Sequence, residues 1–254
     1  MLRVHHLNCV EIESPGNGSA IGHCLLLEQD EQLVMIDVGI GLKDTEHPAE
    51  RIGQELISIV GFRFSEERTA YRQIQQLGLD PAKVSDCVIS HLDPDHIGGL
   101  ADFPQAVVHV GFEEFEHFKS GHFRYLPHQL EHRPVIKTYE QADANWMGFE
   151  ARSVSVLPGT SIYLIPLFGH TFGHCGVAIE HGSSIIFYTG DAYYLRAELD
   201  DPEHPVHELA ESRADDNALR LESLEKIRQF IATYPDIPVY GYHDISEWES
   251  LAYA

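Results

Sequence analysis

Short runs rich in β-branched and aromatic residues recur along the chain and alternate with segments of helical period. Residues 32–38, 86–90, 106–110, 161–167, 176–180, 184–189 and 237–242 predict strands, and residues 49–60, 66–77, 112–119 and 217–233 predict helices. Strands interleaved with helices imply a layered α/β fold. Two of the runs, LIPLFG and IIFYTG, stay apolar for several residues and end at glycine, as a strand buried on both faces does where it leaves its sheet. Chemistry is expected at such ends. Between residues 111 and 148 the pattern is irregular, with Phe112, Phe115, Phe118, Phe123, Tyr125 and Trp146 set among histidines and prolines. This composition suits a pocket lid or the cover of a sheet edge. Residues 197–216 are acidic, contain proline and read as a surface excursion. No fixed-period repeat or compelling boundary interrupts the chain, so a single domain over residues 1–254 is expected.

Composition narrows the function. Apolar residues make up 43% of the chain and charged residues 22%, enough for a substantial core. The 17 Lys and Arg against 40 Asp and Glu leave a formal charge of -23, which repels phosphate backbones and anionic lipid headgroups. Neither a nucleic-acid nor a membrane partner is expected. The start MLRVHHLNCVEIESPG has no apolar core of signal-peptide length, and no run approaches the ~18 residues of a membrane span, so a cytoplasmic location is expected. Cys9, Cys24, Cys87 and Cys175 are scattered without a C-x-x-C pair and predict buried free thiols. The 17 histidines stand out, because imidazole is the commonest metal ligand among side chains. Isolated ones such as His23, His109 and His181 are expected to pack or face solvent.

The strongest signal follows the run CVIS: His91-Leu92-Asp93-Pro94-Asp95-His96-Ile97-Gly98-Gly99 sets four metal-competent side chains within six residues at a strand's end. In extended chain, side chains two apart point the same way, so His91 and Asp93 can approach one ion together. Pro94 then turns the chain, so Asp95 and His96 can serve a second ion, and the glycines allow close backbone approach. A helix-capping role for Asp95 is the alternative, although capping needs no histidines.

This run resembles the His-x-His-x-Asp-His signature of the metallo-β-lactamase superfamily, and further pieces follow in the expected order. Asp37, in LVMIDVGIG, resembles the first motif, an aspartate that orients ligands without binding metal. His170, in FGHTFGH, resembles the third-motif histidine, and His174 in the same run takes a supporting place. Asp191, in FYTGD, resembles the carboxylate that bridges both ions, and His243, in VYGYHD, the last histidine. The resemblance implies a four-layer αββα sandwich. One ion would then be held by His91, Asp93 and His170, the other by Asp95, His96 and His243, with Asp191 shared. It further implies a hydrolase that attacks an ester or lactone carbonyl of a small molecule with a metal-bridging hydroxide, Asp95 or a metal-bound water carrying the proton. Tyr194, three residues past Asp191, resembles the tyrosine of acyl-homoserine lactonases that assists the carbonyl or leaving oxygen. Tyr193 sits beside it, and only one of the two can face the metals.

At Asp93 the chain departs from the pattern, which has a second histidine there. An extra carboxylate lowers the Lewis acidity of the ions and favours harder metals, so iron or manganese joins zinc as a candidate. A carboxylate here also resembles the iron-binding pattern of flavodiiron oxidoreductases, which keeps a redox function as an alternative, beside a metal-binding member of the fold without catalysis. Cations are scarce near the motifs: Lys83 and Arg196 are the nearest in sequence, and folding can bring Arg124 or Arg133 inward. That scarcity favours a neutral ester or lactone. Substrate and oligomeric state are not specified by these motifs.

Overall fold

The computed structural model describes residues 1–16 and 18–251. In chain order its elements are β1 (Leu2–Ser14), β2 (Gly18–Gln29), β3 (Gln32–Ile36), α1 (Leu42–Glu46), α2 (Gln54–Val60), β4 (Phe62–Arg63), α3 (Ala70–Gln76), β5 (Val84–Val88), α4 (Pro94–Ile97), β6 (Val107–Gly111) and α5 (Phe112–Lys119). They continue with β7 (Val135–Tyr139), β8 (Ala144–Trp146), β9 (Phe149–Val154), β10 (Ser161–Pro166), β11 (Cys175–His181), β12 (Ser184–Gly190), α6 (Ala197–Asp200), α7 (Val206–Arg213), α8 (Asn217–Thr233), β13 (Val239–Gly241) and α9 (Ile245–Leu251). The chain forms two compact units: residues 1–109 with 118–137, and residues 110–117 with those from Thr138 onward.

The first unit carries a seven-stranded sheet in the order β4-β1-β2-β3-β5-β6-β7. Its antiparallel part is the long β1–β2 hairpin with β3, and β3, β5 and β6 then run parallel. The hydrophobic pattern did not predict the hairpin. A bulge between Asn8 and Glu11 breaks the period of two, and the Asn8 carboxamide oxygen secures it by accepting from the N–H groups of Val10 and Gly22. His23 lies buried within β2, where its Nε2 meets His6 Nδ1 at 2.8 Å, so polar residues occupy places the pattern assigns to apolar ones. The carboxyl ends of parallel β3 and β5 lead directly into Asp37 and into Ser90-His91.

The second unit has a six-stranded sheet in the order β13-β12-β11-β10-β9-β8, antiparallel apart from the parallel pair β12–β13. Its core joins Ile165, Leu167 and Phe187 to Leu224, Ile227 and Phe230, which lie along one stripe of α8. Asp216 caps α8 by accepting from the N–H groups of Ala218 and Leu219.

Several expectations change. Residues 111–148 contain α5, β7 and β8 and are not irregular. Their aromatics divide: Trp146 is buried in the second core, stacked 5.2 Å from Phe230 with its indole N–H on Glu180, whereas Phe123 is 90% exposed. Residues 197–216 hold α6 and α7, whose Leu199, Val206 and Ala210 are buried, and the buried Glu198 carboxylate is paired with Arg220 at 2.8 Å. The helix expected over 49–60 is a π turn, Ala49–Gly53, followed by α2, and the break falls at Gly53 with φ of 90°. The one expected over 66–77 is a 3-10 turn, Glu66–Arg68, followed by α3, which Thr69 caps. The other two helices match α5 and α8. All four cysteines are buried free thiols. Among the described residues, no helix is long and apolar enough to cross a membrane.

Candidate functional site

In the first unit the site begins with a strained aspartate. Asp37, fully buried, takes φ of 51°, a left-handed conformation that aspartate tolerates better than most residues. From there its carboxylate reaches the chain beyond β5: Oδ1 accepts from Ser90 N at 2.8 Å, and Oδ2 accepts from Ser90 Oγ at 2.7 Å and from His96 Nδ1 at 2.8 Å. These bonds fix both imidazoles. The Ser90 hydroxyl gives its hydrogen to Asp37, so its oxygen accepts from His91 Nδ1 at 3.0 Å. Nε2 is then the basic nitrogen of both His91 and His96, whose rings lie 4.0 Å apart between centroids. Pro94 opens α4, and Asp95 and His96 follow within it, each offering a ligand atom within 4.8 Å of the other. Behind the loop Gly98 leaves room for the buried Asp44 carboxylate, which a Cβ there would displace.

Asp93 has a partner that its sequence neighbours do not reveal. Arg124 grips it from the segment 118–137, with Nε on Oδ1 at 2.7 Å and Nη2 on Oδ2 at 2.8 Å. Asp93 Oδ2 also stands 3.4 Å from His91 Nε2.

In the second unit, three strand ends meet on one carboxylate. Asp191 Oδ2 lies 3.4 Å from His170 Nε2 and 3.3 Å from His243 Nε2. Tyr194, half-buried, sets its ring edge-on to both imidazoles, 5.7 Å from His170 and 5.3 Å from His243. Tyr193 turns inward and donates to Glu247 Oε1 at 2.8 Å, so Tyr194 is the tyrosine on the histidine side. His174 has both ring nitrogens engaged: Nδ1 donates to Leu167 O and Nε2 accepts from the Asp191 N–H, each at 3.0 Å. It therefore holds the Asp191 backbone in place.

A charged framework locks these ends. Buried Glu114 on α5 accepts from Thr171 Oγ1 at 2.6 Å and Gly173 N at 3.3 Å, clamping the loop that carries His170. Any Cβ at Gly173 would strike the α5 backbone. Beside His243, Glu247 accepts from Gly241 N and Arg196 Nη1, while Asp244 accepts from Arg196 N and caps α9. Burial holds the carboxyls of Glu247 and Glu198 above the usual carboxylate range. It also pushes the Cys175 thiol up to about 12 and that of Cys87 higher still, which makes both inert as thiolate ligands. Sequence reading missed Ser90, Glu114, Glu198 and Glu247, since nothing local separates the last three from the other acidic residues.

The donor set fits divalent ions. Nitrogen and oxygen ligands on tetrahedral bonds of ~2.0–2.2 Å stand about 3.3–3.6 Å apart. The pairs His170–Asp191, His243–Asp191 and His91–Asp93 stand 3.4, 3.3 and 3.4 Å apart. So many buried imidazoles and carboxylates in such groupings are what a cation stabilises.

Comparison with known proteins agrees. The sequence profile of the Metallo-beta-lactamase superfamily matches residues 18–232, and the chain belongs to that superfamily. A probable metallo-hydrolase of Mycobacterium tuberculosis is 37% identical over 204 residues, which cover 78% of this chain and 65% of the relative. The match thus spans about two thirds of that relative's length. An N-acyl homoserine lactonase of Bacillus thuringiensis subsp. kurstaki is 25% identical over 232 residues, 89% of this chain and 82% of the lactonase. The crystal structure of a Bacillus thuringiensis lactonase variant with N-decanoyl-L-homoserine bound at its active site superposes with a TM-score of 0.76, covering 97% of this chain and 95% of that one at 20% identity. The mixed α/β architecture with two sheets is thus the metallo-β-lactamase fold.

Proposed function

We propose that this protein is a dinuclear-metal hydrolase that attacks the carbonyl of a small, neutral ester or lactone and breaks its acyl C–O bond. In this reading the superfamily pattern would have His91, Asp93 and His170 hold one ion and Asp95, His96 and His243 the other, with Asp191 shared. Zinc is the first candidate, with manganese and iron as the alternatives that metal analysis separates. The observation that carries the reading is the Asp191 carboxylate set at ligand spacing from both His170 and His243, with Tyr194 edge-on to the same two rings.

Bound ions would polarise the scissile carbonyl and acidify a water at neutral pH. The chain's own groups do the rest. Asp37 and Ser90 keep Nε2 of His91 and His96 basic, His174 fixes Asp191, and the Tyr194 hydroxyl donates to the carbonyl or leaving oxygen. Asp95 moves the proton to the leaving group. Two arginines near the ligands, Arg124 and Arg196, are matched by Asp93 and Glu247, which supports a neutral substrate over an anionic one. Buried free thiols suit a reducing compartment, so we place the protein in the cytoplasm.

Elemental analysis of protein purified without chelator, followed by hydrolysis assays on acyl-homoserine lactones and neutral aryl esters, tests the reading. The expected result is two divalent ions per chain and lactone turnover. Asp191→Ala should abolish both, and Tyr194→Phe should lower kcat by about 10²-fold while leaving metal content unchanged. Turnover retained in Asp191→Ala would overturn the proposal.

A further inference from the structure

The position held by Asp93 is a neutral histidine in the superfamily signature, and a lone carboxylate there would add a full negative charge beside two cations. The structure supplies the counter-charge. Arg124 binds both Asp93 oxygens through its planar fork, at 2.7 and 2.8 Å, and the two side chains are only 11% and 15% exposed. At that burial the pair is weakly screened by solvent, and a guanidinium keeps its charge at any working pH. Pro94 and the start of α4 fix the Asp93 backbone, so its carboxylate is placed by the main chain and met by a side chain distant in sequence.

We infer that Asp93 and Arg124 act as one electrically neutral unit, equivalent in charge to the histidine they replace, and that Arg124 is a positioning residue that keeps the metal centre from becoming too negative. The inference rests on the metal-binding reading above. Its consequence is a pair of opposite effects. With Arg124 present, the carboxylate's pull on a nearby cation is largely cancelled, so the centre keeps the charge suited to zinc rather than to harder ions. Removing the guanidinium exposes the ions to an uncompensated carboxylate and tightens binding, most of all for manganese. Removing the carboxylate's charge takes this counter-charge from the guanidinium, which then repels the ions.

The test measures zinc and manganese dissociation constants by chelator competition on the full chain, for wild type, Arg124→Met, Asp93→Asn, Arg124→Lys and the double variant Asp93→Asn/Arg124→Met. Outer groups around metal sites change affinity by about 10–100-fold, which sets the scale. Arg124→Met should bind manganese about tenfold more tightly, Asp93→Asn should bind both metals about tenfold more weakly, and the double variant should return close to wild type. Arg124→Lys keeps the charge and should stay near wild type. A merely structural pair would weaken binding in both single variants, with the double variant at least as weak, and that pattern would overturn the inference, as would Arg124→Lys behaving like Arg124→Met. If Arg124→Met does not fold, Arg124→Lys and Asp93→Asn still decide between charge and scaffold. Wild type that binds neither metal would instead sink the metal-binding reading itself.

Discussion

In the first unit, His91, Asp93, Asp95 and His96 come from six consecutive residues; one buried carboxylate, Asp37, orients both histidines, through Ser90 and directly, and Arg124 holds Asp93. In the second, His170, Asp191 and His243 come from three separate strand ends, each held by its own group: Glu114 on the His170 loop, His174 behind Asp191, and Asp244 and Glu247 around His243. A contiguous loop can be oriented by few anchors, with one carboxylate serving both its histidines, because the covalent chain already sets the spacing of its members. Scattered ligands need several anchors, because nothing but packing fixes their separation. The first arrangement concentrates its vulnerability, and the second distributes it.

The contrast predicts unequal responses. Asp37→Asn should have the largest effect on metal affinity: Asn tolerates the left-handed backbone, but its amide group cannot accept everything that Oδ1 and Oδ2 accept, so the Ser90 and His96 orientations are lost together. Affinity should fall by about 10–100-fold, and folding stability by about 1–3 kcal/mol from the orphaned donors. Chelator competition and urea melts read the two, and an unchanged affinity would show that the loop orients itself.

Glu114→Ala should act more weakly on affinity, because His174, Asp244 and Glu247 remain. The expected change is below about tenfold, with a stability loss of about 1–3 kcal/mol from stranding Thr171 and the Gly173 N–H. Affinity lost as fully as in the Asp37 variant would erase the difference between the two arrangements.

The smallest effect on the ligands is expected at Asp102, which lies outside them and accepts from the Leu42 N–H at 2.9 Å. Burial, helped by nearby Asp44, lifts its carboxyl to about 7. The folded chain therefore holds a proton there that the unfolded chain releases near 4, so stability falls as pH rises from about 4 to about 7 and stays low above that. Asp102→Asn removes this dependence while keeping an acceptor for Leu42. At pH 8 the variant should be more stable than wild type by of order 1–2 kcal/mol, with the gain gone below pH 4 and metal affinity unchanged. Parallel stability curves for the two proteins would show that Asp102 is ionised in the fold.

The same contrast explains what could be read in advance. The loop at His91–His96 was visible because its residues are neighbours, and α5 and α8 were visible because helical period is a local property. The β1–β2 hairpin was not, since its bulge and its buried His23 and Asn8 break the alternation on which strand reading depends. Nor was the division of the aromatics, which places Trp146 in a core and leaves Phe123 exposed, because burial depends on what packs opposite.

By itself, then, the sequence determined which residues are the candidates for the chemistry: four metal-competent side chains in one loop, then His170, Asp191 and His243 in the order that resembles the superfamily pattern. The tertiary structure alone decided their electrical and hydrogen-bonded state. It paired Asp93 with Arg124, turned Tyr193 inward and Tyr194 toward the histidines, and assigned Glu114, Glu198 and Glu247 to buried posts among many similar carboxylates. Candidate ligands are legible in side-chain type and local spacing, whereas charge balance and orientation arise from groups far apart in sequence that only folding brings within a few ångströms.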